Sequence, residues 1–86
     1  MIKLILDGEK IMDRNDLHRC FAEKLSFPQW YGKNLDALFD FLTVFPEDVE
    51  ISFLNKESLE KHLGAYTKKL YQVLEEAKKE NPRLLL

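Results

Sequence analysis

Eighty-six residues, 45% hydrophobic and 33% charged, describe one ordinary globular domain over 1–86, with one core and little burial to spare. No apolar run approaches the ~20 residues that span a bilayer, and three Gly and three Pro leave little room for linkers or low-complexity tracts. A net charge of −2, one cysteine (Cys20) and an opening run that meets Asp7-Gly8 too soon for an export signal favour a reducing, cytoplasmic setting over a disulfide-stapled secreted one.

Residues 2–6 form a short apolar run closed by the turn pair Asp7-Gly8, and predict a strand buried on both faces. Asp13 is a natural N-cap, and Asp16 suits the first turn of a helix. Leu17, Cys20, Phe21 and Leu25 then recur at helical spacing, so the first helix is predicted over 14–25. Residues 26–33, punctuated by Pro28 and Gly32, keep no period and predict a loop. Asn34 caps a second helix whose apolar stripe is Leu35, Leu38, Phe41, Leu42 and Phe45; Pro46-Glu47-Asp48 breaks it. Residues 49–53 alternate with period two and predict a strand. Asn55 caps a third, short helix ending at Gly64, a natural left-handed residue. Tyr66, Leu70, Val73, Leu74 and Ala77 mark a fourth helix, stopped by Asn81-Pro82, and residues 83–86 predict a third strand.

The order is β-α-α-β-α-α-β. Strands joined by helical crossovers lie parallel in one sheet. The expected fold is therefore α/β, a three-stranded parallel sheet with four helices, too small to cover both sheet faces fully.

Charge is unevenly placed. Residues 34–60 hold Lys56 as their only base against Asp36, Asp40, Glu47, Asp48, Glu50, Glu57 and Glu60. Such a segment repels nucleic acid and anionic membrane and attracts a cationic partner. On a helical wheel, Asp36 and Asp40 fall opposite the apolar stripe, one turn apart, with Thr43 beside them and Phe39 on the same exposed side. Like charges at this spacing cost a few tenths of a kcal/mol. Asp36 in the first turn is explained by the helix dipole; Asp40, in mid-helix, is not. Trp30 and Tyr31 precede the helix, and aromatics beside carboxylates have the composition of an interface hot spot. Two carboxylates with neighbouring aromatics resemble a phosphate backbone with stacked bases, which a ribonuclease site rich in Arg, Lys and His would accept.

The run 28–43, PQWYGKNLDALFDFLT, resembles the signature of the barstar family, intracellular inhibitors of barnase-type ribonucleases. The likeness extends to Asp7-Gly8-Glu9, to Asp16-Leu17-His18, and to Gln72-Val73 with Glu76-Ala77-Lys78. It implies the fold predicted above. It also implies that the second helix and its preceding loop plug a ribonuclease active site. On this resemblance Asp40 is the central acid that meets the enzyme's basic and histidine residues, and Asp36 a second interface acid. Trp30 packs on the enzyme's catalytic histidine. Tyr31, Gly32, Asn34, Phe39, Thr43, Val44 and Phe45 match further interface positions, and Glu76 a peripheral acid that pairs with an arginine. The sequence departs from the family at Lys33, where an acid is common, at Phe39, where a Trp stands, and at Val44, where a Gly stands. The implied protein is not an enzyme, needs no cofactor or metal, and is a monomer when free. Its implied partner is a small basic ribonuclease of the extracellular, barnase-like type, with neither nucleic acid nor membrane as a partner.

The same residues also allow two other readings. The acidic face could dock a basic protein that is not a nuclease. Asp36, Asp40 and Glu76 could also form a divalent-metal site for phosphoryl or glycosyl chemistry, although a convex helix is a poor place for it. Cys20 has no base beside it and reads as a packing residue. His18 lacks a second ligand at helical spacing, and His62 suits a helix C-terminus.

Overall fold

The computed structural model describes all 86 residues. In chain order the elements are β1 (Ile2–Asp7), α1 (Arg14–Leu25), α2 (Leu35–Thr43), β2 (Val49–Leu54), α3 (Lys56–Leu63), α4 (Tyr66–Glu80) and β3 (Leu84–Leu85). The strands form one sheet in the order β1-β2-β3, and both pairs are parallel. This is the α/β architecture that the sequence predicts.

The expectation that β1 is buried on both faces is not met. Leu4 and Leu6 are buried, whereas Lys3 is exposed and Ile5 is 58% exposed. Leu4 pairs with Ile51 and Ile5 with Ser52, so buried residues line up on one face and exposed ones on the other. The physical reason is size. Full cover of a parallel sheet requires a helical layer on each side, and here the buried helix residues and the buried strand residues share a single core.

That core gathers Leu17 and Phe21 from α1, Leu38 and Leu42 from α2, Leu59 from α3, and Leu70 and Leu74 from α4, all packed with Leu6, Val49 and Leu84. Each such side chain, fully buried, contributes about 1.5–3 kcal/mol. The 3.6-residue spacing read from the sequence thus orients α2: its inner residues are held by the core, and its opposite side is left to solvent.

The helix ends are fixed by short polar side chains. Asp13 accepts from the Asp16 amide at 2.8 Å, and Asp16 accepts from the Met12 amide at 3.0 Å, a reciprocal cap of α1. Gly64 ends α3 at φ 59°, ψ −137°, a region open chiefly to glycine. Asn55, expected to cap α3 with its side chain, does not. It sits at φ 56°, and its Nδ2 donates instead to Asp7 Oδ1 at 2.9 Å, joining the ends of β1 and β2. Gly8, just beyond, is required by contact: a Cβ there would collide with the Asn55 carbonyl and the Leu59 amide. His62 Nδ1–H reaches back to the carbonyls of Gly8 (2.9 Å) and Ile11 (3.0 Å), so this histidine ties α3 to the β1–α1 connection.

Candidate functional site

The candidate surface is built on α2 and the loop before it. Asn34 starts the helix: its Oδ1 accepts from the Ala37 amide at 2.7 Å, and its Nδ2 donates to the Gly32 carbonyl at 3.3 Å. With Leu38 and Leu42 held in the core, Asp36 and Asp40 are exposed. Their Cβ atoms, one turn apart, are separated by about 6 Å. The chain's ion pairs are Arg19–Asp16, Lys79–Glu76 and Arg83–Asp48, so neither α2 acid is neutralised by a lysine or arginine of its own domain.

The end of α2 is set from a distance. Val44 takes φ −110°, ψ 6°, which any residue can adopt, so the helix closes without a glycine and leaves Val44 75% exposed. Thr43 Oγ1 donates back to the Asp40 carbonyl at 3.0 Å. The buried Asn81, read from sequence only as a helix stop, donates through Nδ2 to the carbonyls of Leu42 (2.9 Å) and Phe45 (3.1 Å). Its Oδ1 accepts from the Arg83 amide at 3.1 Å. One amide thereby couples the end of α2 to the start of β3. Asn81→Ala is expected to cost about 1–3 kcal/mol, because it strips partners from buried backbone groups. Urea unfolding of the variant checks this.

The loop carries an aromatic stack. Phe27 and Phe41 stack at 4.8 Å between centroids, and Tyr31 packs against both, at 4.9 and 5.5 Å. Trp30 leans on Phe41 at 5.5 Å and is 77% exposed. Phe41, read as a core residue of the stripe, is therefore half-buried and also serves as the platform for Trp30. Tyr31 differs from the other loop positions expected at the surface: it is 4% exposed, and burial holds its phenol well above the ordinary range. Its hydroxyl is occupied by His18 Nδ1 at 2.7 Å. A side chain so enclosed supports the loop from beneath and presents little to a partner.

Phe39, expected on the exposed side, is half-buried because α4 lies beside α2; with Leu35 and Val73 it lines a groove between the two helices. Phe45 is likewise half-buried against the core. Gly32 is exposed. Glu76 is exposed on α4 and borders the same groove, where it holds Lys79 at 3.2 Å. Lys69 and Asp36 also line this groove, so its charge is mixed, whereas Asp40 lies outside it.

No group of three or more His, Cys, Asp or Glu side chains is gathered as a metal-ligating set. No helix is long and apolar enough to cross a membrane. Burial, helped by Glu23 and Asp16, pushes the Cys20 thiol up, away from the reactive thiolate.

The exposed Trp30 and the unpaired Asp36 and Asp40 thus share one helix and its leading loop on a small α/β domain. Residues 1–84 match the family described as "Barstar (barnase inhibitor)", and the chain belongs to the barstar family. It is also 37% identical over 81 residues to a Bacillus subtilis (strain 168) protein named "Putative ribonuclease inhibitor YrdF", a match that covers 93% of this chain and 89% of that one.

Proposed function

We propose that this protein inhibits a small basic microbial ribonuclease of the barnase-like type by occupying its phosphate-binding cleft with α2. The observation that carries this reading is the pair of exposed, unpaired carboxylates of Asp36 and Asp40 beside the exposed Trp30. Carboxylates offered one turn apart accept charge-assisted hydrogen bonds from Arg, Lys and His at sites that otherwise hold RNA phosphates. Trp30, propped on Phe41, supplies a flat apolar surface for stacking on a histidine of the enzyme. Gly32 and Asn34 give close backbone approach at the edge of the surface. Thr43 and Val44 extend it along the helix, with Phe39 and Phe45 backing it. Glu76 adds a peripheral acid for an arginine. The half-buried free thiol of Cys20 suits the reducing cytoplasm, where such an inhibitor protects its host.

Complementary charge acts mainly on encounter. Association with the cognate ribonuclease is expected to slow about tenfold or more as ionic strength rises from 20 mM to 500 mM, while dissociation changes little. The test is stopped-flow binding to, and inhibition of, a panel of small basic microbial ribonucleases. Inhibition of at least one, with this salt dependence, supports the reading. Capture of a basic protein without nuclease activity, with no ribonuclease inhibited, would favour an adaptor role and overturn it.

A further inference from the structure

The segment that carries Trp30 has little backbone support. Between residues 28 and 34 the Tyr31 amide donates to the Pro28 carbonyl at 3.0 Å, and the Asn34 side chain to the Gly32 carbonyl. Lys33 holds a left-handed φ of 52°. Tyr31 is the only buried residue of this stretch. Phe27 and Phe41 enclose its ring, and its hydroxyl ends on His18 Nδ1 at 2.7 Å. The other ring nitrogen of His18, Nε2, lies 2.8 Å from the hydroxyl of Tyr66, the first residue of α4. The Arg14 guanidinium covers the Tyr66 ring at 4.2 Å.

One fully buried imidazole on α1 therefore joins the loop to α4 through two hydroxyls. A neutral imidazole has one N–H and one bare nitrogen. One tyrosine must donate to it and the other accept, so each hydroxyl's direction is set by the other. Ring packing alone would keep residue 31 inside. The hydroxyl bond gives the ring a fixed end point, and with it the loop a fixed height over α2.

We propose that His18 and Tyr66 are positioning residues of the binding surface: they hold Tyr31 through a buried Tyr–His–Tyr chain and so set how Trp30 meets a partner. This rests on the ribonuclease-binding reading of that surface, but its structural half can be tested without a partner. Trp30 is the chain's single tryptophan, so its fluorescence reports the loop directly.

Tyr66→Phe deletes one hydroxyl and leaves the packing in place; His18→Leu deletes both bonds. Time-resolved anisotropy of Trp30 is expected to fall in Tyr66→Phe and further in His18→Leu. Dissociation from an inhibited ribonuclease is expected to quicken about three- to tenfold in Tyr66→Phe, as suits one lost hydrogen bond. Leu63→Ala, a core truncation on α3, should loosen the domain while leaving Trp30 anisotropy at its original value. Unchanged anisotropy in folded Tyr66→Phe, or an equal fall in Leu63→Ala, overturns the positioning role. Should no ribonuclease be inhibited by the unmodified protein, the functional reading fails, while the anisotropy series still decides whether this chain holds the loop.

Discussion

Asp40→Ala is expected to weaken ribonuclease inhibition by between about 30-fold and several thousand-fold, the range that corresponds to losing 2–5 kcal/mol. A cleft built for phosphate keeps its cations when the acid is removed. Those cations would then be buried under α2 without a partner, and that penalty exceeds the value of the lost attraction itself. The loss is expected mainly as faster dissociation, whereas Asp36→Ala, in the first turn of α2 and sharing a groove with Lys69, is expected to slow association and cost less. The same Asp40→Ala change is expected to stabilise the free domain by about 0.5–1 kcal/mol. Alanine is the better interior helix former, and the repulsion from Asp36 disappears. The two effects therefore run in opposite directions. Inhibition constants and urea unfolding, measured on one preparation, check both. Undiminished inhibition would remove Asp40 from the site, and a parallel loss of stability would assign the defect to folding.

This opposition explains how much of the site could be read from sequence. Asp36 and Asp40 stood out as candidates because like charges at helical spacing break a local rule that stability alone would respect; Trp30 stood out only as an aromatic beside carboxylates, and its exposure follows from how the loop rests on Phe41. The helices and strands were legible for the opposite reason, since stripes such as Leu35, Leu38 and Leu42 obey the local period. What local pattern could not reveal depends on contacts between distant residues. Asn81 caps α2 from 36 and 39 positions away, and Tyr66 meets His18 across 48. Nothing in the residues around His18 announces that both its nitrogens are taken. The exposure of Ile5 follows from the placement of every helix, and the partial burial of Phe39 from α4 alone, which no spacing within α2 encodes. Asn55 misled for a related reason: its position suits a cap, but its backbone is left-handed and its side chain is turned to donate to Asp7, so its Oδ1 accepts nothing from the first turn of α3.

Acidification is expected to withdraw about 3 kcal/mol of folding stability between pH 6.5 and pH 4, through His18 alone. Burial is the main reason its pKa falls from the ordinary 6.5 to about 4, and the positive charge of Lys33 adds to the shift. Arg14 lies beyond Tyr66, and no carboxylate is hydrogen-bonded to the ring to favour an imidazolium. In this window the unfolded chain takes up the proton and the folded one refuses it, so stability is full above about pH 6.5 and declines as pH falls toward 4. Below that the folded imidazole is protonated as well and its contribution levels off. Asp7, whose carboxyl is lowered by Asn55 and by the Glu9 amide, acts in a separate range: its contribution is present above the ordinary value of 3.8 and fades at more acid pH. Urea unfolding at pH 7 and pH 4.5 should therefore separate the unmodified protein from His18→Gln, in which the slope across that interval is reduced by the histidine's share. An equal slope in the two proteins would show that the imidazole is not the group being titrated.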